Sequence, residues 1–381
     1  MVRNDAMEET LYQKLKLLEG LISGCTAKVG PFYATVDLTR RCNLKCLGCY
    51  VHSPYVDNPA PHDPSVFDLD YDLFRELCGD LRAMGTQTLV LCGDGEPFLH
   101  PRLFEMLAVA QGVGCEVKLY TNGTMLTESA VDALIGSGLH VLRVSLWASS
   151  RAEFERNYPG TPPDLFDRVV EGLKRLSSRK AARNGKLPHL VLHEPIDVHN
   201  FAGIDSFVEL AIETGCDGVS FSPLHSASGQ LNCFALKPED ERAALRALRQ
   251  CKQRLRALPL KDNIEETIAR YKIGEAVCAV VPCYIAWLHA RVKVDGTVQA
   301  CNPCRFPLGN LRGQRFREIW NGAGFQEFRR KALTRQGLVE LTQRCDCSYC
   351  CHISDSVRVH RLYKWLSPVF RPAEGRSPAA G

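Results

Sequence analysis

The stretch Arg41-Cys42-Asn43-Leu44-Lys45-Cys46-Leu47-Gly48-Cys49-Tyr50 places three thiols within eight positions, directly after a β-rich run at Phe32–Leu38. Three thiolates on one loop can wrap a single cubane, and soft sulfur ligands suit iron–sulfur clusters or zinc. Three cysteines rather than four leave one metal position without a protein ligand, and an open position marks a reactive metal. The structural alternative is a zinc loop completed by a distant residue such as His52, although zinc knuckles favour paired C-x2-C spacings.

Outward from this loop, residues 32–222 alternate short β-rich runs with helical stretches. The runs are Phe32–Leu38, Thr88–Cys92, Glu116–Thr121, His140–Trp147, His189–Ile196 and Gly218–Ser222. Between them, Phe74, Leu77 and Leu81, and then Val169, Val170, Leu173 and Leu176, fall at the three-to-four spacing of one buried helix face. Six β-then-α units predict an α/β fold with parallel strands and right-handed crossovers. In such barrels the active site lies at the carboxyl ends of the strands. The unusual residues collect there. The thiol triad follows the first strand, Gly93-Asp94-Gly95-Glu96-Pro97 the second, and Thr121-Asn122-Gly123 the third. Ser145 is on the fourth strand, His193 and Glu194 are late in the fifth, and His225 lies just past the sixth.

With its C-x3-C-x2-C triad after the first strand, the chain resembles the radical S-adenosylmethionine (SAM) superfamily. The resemblance implies a partial (β/α)6 barrel, a [4Fe-4S] cluster on Cys42, Cys46 and Cys49, and SAM bound at the free iron. The family often has an aromatic residue before the third cysteine, where this chain has Gly48, so Tyr50 or the backbone is expected to meet adenine instead. The family's GGEP motif binds the methionyl amine. Here Asp94 replaces its first glycine, while Gly95 and Glu96 are kept. By the same resemblance Asn122 and Ser145 should lie near the SAM ribose and carboxylate, with Arg156 as a carboxylate partner. An electron from a donor such as flavodoxin or ferredoxin would then split SAM to a 5′-deoxyadenosyl radical that removes hydrogen from an unactivated C–H bond.

A second group of thiols lies near the carboxy terminus. Cys283-x12-Gly296-x4-Cys301 frames a stretch that reads as a hairpin turning at Asp295-Gly296, which would bring its flanking cysteines together. GNLRGQRFREIWNG and Cys347-x2-Cys350 follow. This order resembles the twitch or SPASM extension of many radical SAM enzymes. It implies a second, auxiliary [4Fe-4S] cluster on Cys283, Cys301, Cys347 and Cys350, with Cys304, Cys345 and Cys351 as competitors. A structural zinc site is the alternative.

Composition bounds the rest. The chain has 381 residues, of which 45% are apolar and 24% charged, and its net charge is +4, too weak to argue for nucleic acid. Its 18 cysteines, clustered and without an export signal, favour metal binding over disulfides. No signal-peptide core or membrane-length apolar run is present, so the expected compartment is the cytoplasm. The expected organisation is an N-terminal helical extension (1–30), the barrel (31–237), a helical linker (238–277), the auxiliary-cluster domain (278–352) and a tail (353–381). Within that tail VRVHRLYKWLSPVF is expected to dock on the body as a helix, against the alternative of a lipid contact.

For the reaction, the leading expectation is an oxidoreductase or epimerase acting on a hydroxylated small-molecule substrate, a sugar or cyclitol, with His193, Glu194 and His225 binding or deprotonating it. The second is a maturase of a ribosomal peptide or protein. It ranks lower because only 41 residues precede Cys42 and the cysteines for a second auxiliary cluster are missing. The third is a non-catalytic iron–sulfur or zinc protein.

Overall fold

The computed structural model describes residues 2–57, 63, 65–224, 229–274, 281–345, 347 and 349–370. A leading helix, α1 (Val2–Ser23), precedes six strands that follow the predicted alternation. These are β1 (Tyr33–Asp37), β2 (Thr88–Cys92), β3 (Glu116–Thr121), β4 (Val141–Ser145), β5 (His189–Ile196) and β6 (Gly218–Pro223), each parallel to the next. The crossovers carry α2 (Tyr71–Ala83), α3 (Leu103–Gln111), α4 (Glu128–Gly136), α5 (Arg151–Asn157), α6 (Leu165–Ala182) and α7 (Ile204–Glu213).

The helices sit where side-chain spacing and caps put them. α2 buries Phe74, Leu77 and Leu81, and α6 buries Val169, Leu173 and Leu176 with Val170 at the margin. Burying each such side chain contributes roughly 1.5–3 kcal/mol. Helix starts are fixed by short polar side chains: Asp70 accepts from the Asp72 and Leu73 N–H groups, Thr127 from Ala130 and Ser150 from Glu153. Each cap is worth about 1 kcal/mol.

The sheet continues past both edges of the six-strand unit. The segment from Pro238, expected to lead away from the barrel, instead packs back on it. Its helix α8 (Pro238–Leu255) lies against α7, and β7 (Lys261–Asp262) pairs in parallel with β6. In the following α9 (Ile264–Ile273), the Thr267 hydroxyl donates to the Phe221 carbonyl at 2.8 Å, tying the helix to β6.

At the other edge β8 (His289–Val292) runs parallel to β1, pairing Tyr33 with His289 and Thr35 with Arg291. The hairpin to β9 (Thr297–Gln299) turns at Asp295-Gly296 as expected, with the Thr297 N–H on Asp295 Oδ1 at 2.9 Å. β10 (Gly309–Asn310) ends a ten-stranded sheet ordered β10-β9-β8-β1-β2-β3-β4-β5-β6-β7. The auxiliary segment is therefore hydrogen-bonded into the barrel sheet.

A last helix, Ile353–Phe370, docks on the body as the aromatic-basic pattern predicts. The Tyr33 hydroxyl donates to Asp355 at 2.8 Å, and Tyr284 Oη meets His360 Nδ1 at 2.9 Å. Residues 371–381 lie outside the described part of the chain. Among the described residues no helix is long and apolar enough to cross a membrane.

Candidate active site

A cavity of about 620 Å³ spans the carboxyl ends of the strands and the barrel interior. Its wall brings together residues that the sequence scatters over three hundred positions: the Cys42, Cys46 and Cys49 loop, Tyr50, Gly95 and Glu96, Asn122, Ser145, His193, and Cys350 with Cys351 from the auxiliary segment.

The three thiols line one wall of this cavity, and burial raises the pKa of each. Cys42 rises to about 11, and Cys46 is pushed well above its ordinary value, with Cys49 contributing to both. Backbone N–H groups nonetheless point at the sulfurs: Val51 and His52 donate to Cys49 Sγ at 3.4 and 3.3 Å. Buried thiols with N–H donors aimed at them fit thiolates whose charge is met by a metal cluster. Among the described residues no three His, Cys, Asp or Glu side chains gather closely enough to hold a single metal ion.

Glu96 is fully buried and held by three donors. Thr121 Oγ1 donates to Oε1 at 2.7 Å, Phe98 N–H to Oε1 at 3.1 Å, and Asn122 N–H to Oε2 at 2.6 Å. Burial outweighs these donors and raises the carboxyl to about 7. The loop carrying it lies flat against the cysteine loop, with Glu96 N–H donating to the Arg41 carbonyl at 2.7 Å. A Cβ on Gly95 would come within 2.1 Å of that carbonyl, so only glycine fits. Asn122 ties in the third strand end: its Nδ2 donates to Asn43 Oδ1 in the cysteine loop at 2.8 Å. The Ser145 hydroxyl accepts from Trp147 Nε1 at 3.1 Å.

The two departures from the family pattern have structural causes. A Cβ on Gly48 would sit 2.2 Å from the Trp147 ring, so the indole at the end of β4 occupies the space beside the third cysteine. Trp147 lines the cavity, and the sequence reading did not single it out. Tyr50 is partly exposed, but its hydroxyl is engaged elsewhere, donating to Asp94 at 3.4 Å and accepting from Arg291 Nη2 at 3.2 Å.

Asp94, the second departure, belongs to a buried four-charge network. Arg291 Nη2 reaches Asp94 Oδ1 at 2.9 Å and Asp37 Oδ1 at 2.9 Å, while Lys293 Nζ reaches Asp37 Oδ2 at 2.6 Å and also contacts Asp94. All four side chains are at most 7% exposed. The auxiliary hairpin is thereby bolted to the loop that carries Glu96. The signal was present: Arg291 in β8 and Lys293 just past its end are two apart in extended chain and so share a face.

Not every predicted residue reaches the cavity. His193 does, with Nδ1 2.5 Å from Arg143 Nη2 and Nε2 3.4 Å from Ser222 Oγ. Glu194 is a correction. Successive strand side chains alternate faces, so His193 and Pro195 point inward and Glu194 outward. There burial, Glu153 and Asp197 push its carboxyl well above the ordinary range, and neither oxygen has a hydrogen-bond partner among the described residues. Arg156 is a second correction: it is exposed on α5, and its Nε donates one turn back to the Ala152 carbonyl at 3.0 Å. His225 lies outside the described residues.

In the auxiliary segment, buried Cys301 is pushed up in pKa by burial and then by Cys283, Cys351 and Cys350, which places those four thiols together. Cys347 packs half-buried on the same core. Of the three competitors, Cys304 and Cys345 are paired with each other, and Cys351 lies beside Cys301.

Two family profiles match the chain: the Radical SAM superfamily at residues 36–201, and the SPASM iron–sulfur cluster-binding domain at residues 283–351. The PqqA peptide cyclase of Ruegeria pomeroyi is 30% identical over 320 residues, covering 78% of this chain and 76% of that protein. The AdoMet-dependent heme synthase of Methanosarcina barkeri is 26% identical over 305 residues, covering 75% and 81%. Among solved structures, Streptococcus suis SuiB bound to precursor peptide SuiA superposes with a TM-score of 0.63 at 14% identity, covering 91% of this chain and 77% of that one. Native anSMEcpe with bound AdoMet gives 0.61 at 15% identity, covering 89% and 98%. The structural likenesses establish the fold, and the sequence match to the cyclase establishes kinship: this chain belongs to the radical SAM superfamily and carries its SPASM extension.

Proposed function

We propose that the chain is a maturase that modifies a peptide by radical SAM chemistry. The observation that carries this reading is the match to a peptide cyclase over about three quarters of both chains. It reverses the ranking of the expectations above, in which a sugar or cyclitol led. The cavity, about 620 Å³, is within the size range of small-molecule and cofactor sites.

In this reading Cys42, Cys46 and Cys49 hold the [4Fe-4S] cluster, and Cys283, Cys301 and Cys350 hold the auxiliary one with Cys347. Reductive cleavage of SAM supplies the hydrogen-abstracting power when cluster and cofactor are bound. The chain's own groups do the rest. Glu96 receives the SAM ammonium, Asn122 and Ser145 orient the polar end, and the Trp147 ring walls off the cysteine loop. His193 stands between Arg143 Nη2 and Ser220 at its Nδ1 and the Ser222 hydroxyl at its Nε2, a neutral imidazole held for contact with substrate.

The test is anaerobic incubation of the reconstituted protein with SAM, dithionite and a library of synthetic peptides. Loss of two hydrogens from a peptide by mass spectrometry, with deuterium passing from labelled peptide into 5′-deoxyadenosine, is the expected result. Transfer from a labelled sugar or cyclitol and from no peptide would return the first expectation to the lead.

The titration of Glu96 gives a second expected result. Its carboxyl is raised from the ordinary 4.5 to about 7, so it is a carboxylate above that pH and a neutral acid below it. Only the carboxylate pairs with an ammonium. SAM affinity therefore holds above pH 7 and falls by about tenfold per unit below it, while Glu96→Gln is weak and flat with pH. Calorimetric titration of SAM across this range checks it.

A further inference from the structure

The barrel interior has an uneven charge. The cavity wall holds two carboxylates, Asp94 and Glu96, and both are already engaged by the groups described above. Those carboxylates are matched by Arg291 and Lys293, whereas β4 and α9 each contribute a further cation, Arg143 and Arg270, to the cavity wall. Arg143, in the middle of β4, donates from Nη1 to the Tyr120 hydroxyl at 3.4 Å and from Nη2 to His193 Nδ1 at 2.5 Å. Its guanidinium carbon lies 5.0 Å from the Tyr120 ring centroid. Its Nε is buried with no hydrogen-bond partner.

Arg270, from α9, lines the same cavity; among the described residues it donates to the Tyr349 backbone carbonyl, at 3.0 and 2.9 Å, and its charge also lowers the pKa of the Cys350 and Cys351 thiols beside it. Among the described residues neither arginine has an ion-pair partner. His193 lies within the reach of both. Burial, then Arg143 and Arg270, push its pKa well below the ordinary value, so it stays neutral and adds no charge of its own. A neutral imidazole and a phenol are acceptors for a guanidinium, but neither matches its fork or its charge.

We infer that Arg143, seconded by Arg270, forms an anion subsite in the barrel interior that takes a carboxylate of the substrate. The buried Nε–H leaves the guanidinium one donor short, and a carboxylate taking the place of the neutral Tyr120 or His193 contact would supply the charge that neither gives. Tyr120 and His193 hold the plane of that guanidinium, and the Ser222 hydroxyl, 3.4 Å from His193 Nε2, stands next to it as a further donor. Placing the carboxylate on an acidic side chain or on the free terminus of a peptide rests on the peptide reading above. The subsite itself rests on charge and geometry alone.

The experiment uses SAM-loaded, cluster-reconstituted protein and calorimetry. The probes are N-acetylglutamate N-methylamide for a side-chain carboxylate, N-acetylalanine for a terminal one, and N-acetylglutamine N-methylamide as the uncharged twin. We expect one carboxylate probe to bind at least about tenfold more tightly than the amide. Arg143→Gln should erase that preference and Arg143→Lys should keep part of it. SAM affinity should stay within about twofold in both variants.

Equal binding of acid and amide, or no binding of either acid, overturns the inference. So does loss of SAM affinity in Arg143→Gln, which would assign the arginine to the carboxylate of SAM itself. Which of the two acids binds separates side chain from terminus. The peptide reading is decided by deuterium transfer, a different measurement, so either conclusion can fail while the other stands.

Discussion

Replacing Cys42, Cys46 and Cys49 together with alanine lowers bound iron from about eight to about four atoms per chain and abolishes 5′-deoxyadenosine formation. The reasoning is structural. The triad lies on one loop, while the auxiliary thiols Cys283, Cys301 and Cys350 are gathered by the β8–β9 hairpin and the segment before the last helix. No thiol is shared between the two groups, so each cluster should load without the other. Iron counting with the absorbance of the reconstituted variant gives the answer. Complete loss of iron would remove the auxiliary cluster from the account, and retention of SAM cleavage would remove the triad. A companion variant, Cys350→Ala, should show the converse: about four irons kept with SAM cleavage intact.

Asp94→Ala is expected to be among the most damaging single substitutions outside the cysteines. It removes one of two carboxylates from a site where Arg291 and Lys293 are both buried. Breaking a buried pair from one side leaves an uncompensated charge and costs about 3–5 kcal/mol. Asp94→Ala combined with Lys293→Met restores charge balance, because Arg291 and Asp37 keep their own bond. The double variant should recover most of the loss. Melting of the three proteins under one buffer and scan rate checks the ranking. A single variant that melts with the unchanged protein would mean the network is structurally idle.

The same network shows why the family pattern bends at this position. A glycine at 94 would leave Lys293 with Asp37 as its carboxylate partner and Arg291 with one carboxylate fewer. The aspartate in G-D-G-E-P answers cations from a strand nearly two hundred residues later, Arg291 in β8. Gly48 is similar: it is vacant of side chain because Trp147, a hundred residues on, fills the space.

Much of the site was legible in the chain itself. The triad, the acid-bearing loop and the Asn122 turn each follow a β-rich run, and parallel βα units put all such loops on one rim. Strand limits could be read because alternation and Gly-marked breaks are local. His193 and Glu194 show where that reading was not pressed far enough. Adjacent strand residues face opposite sides, so at most one of them could line the interior. Arg156 was misplaced for a different reason: a helical arginine can reach its own preceding turn as readily as a ligand.

What the sequence by itself determined is the chemistry-bearing set that lies close along the chain: three thiols on one loop, a glutamate in a glycine turn, a hairpin flanked by cysteines. Spacing alone settles such groups, since a few residues of backbone leave few geometries. Tertiary structure decided the long-range matters, namely that β8 adds to the barrel edge beside β1, that Arg291 and Lys293 meet Asp37 and Asp94, that Trp147 covers Gly48, and that Arg143 and Arg270 share one interior. These depend on which surfaces the packed helices and the sheet order bring together, and no local pattern of residue types encodes that pairing.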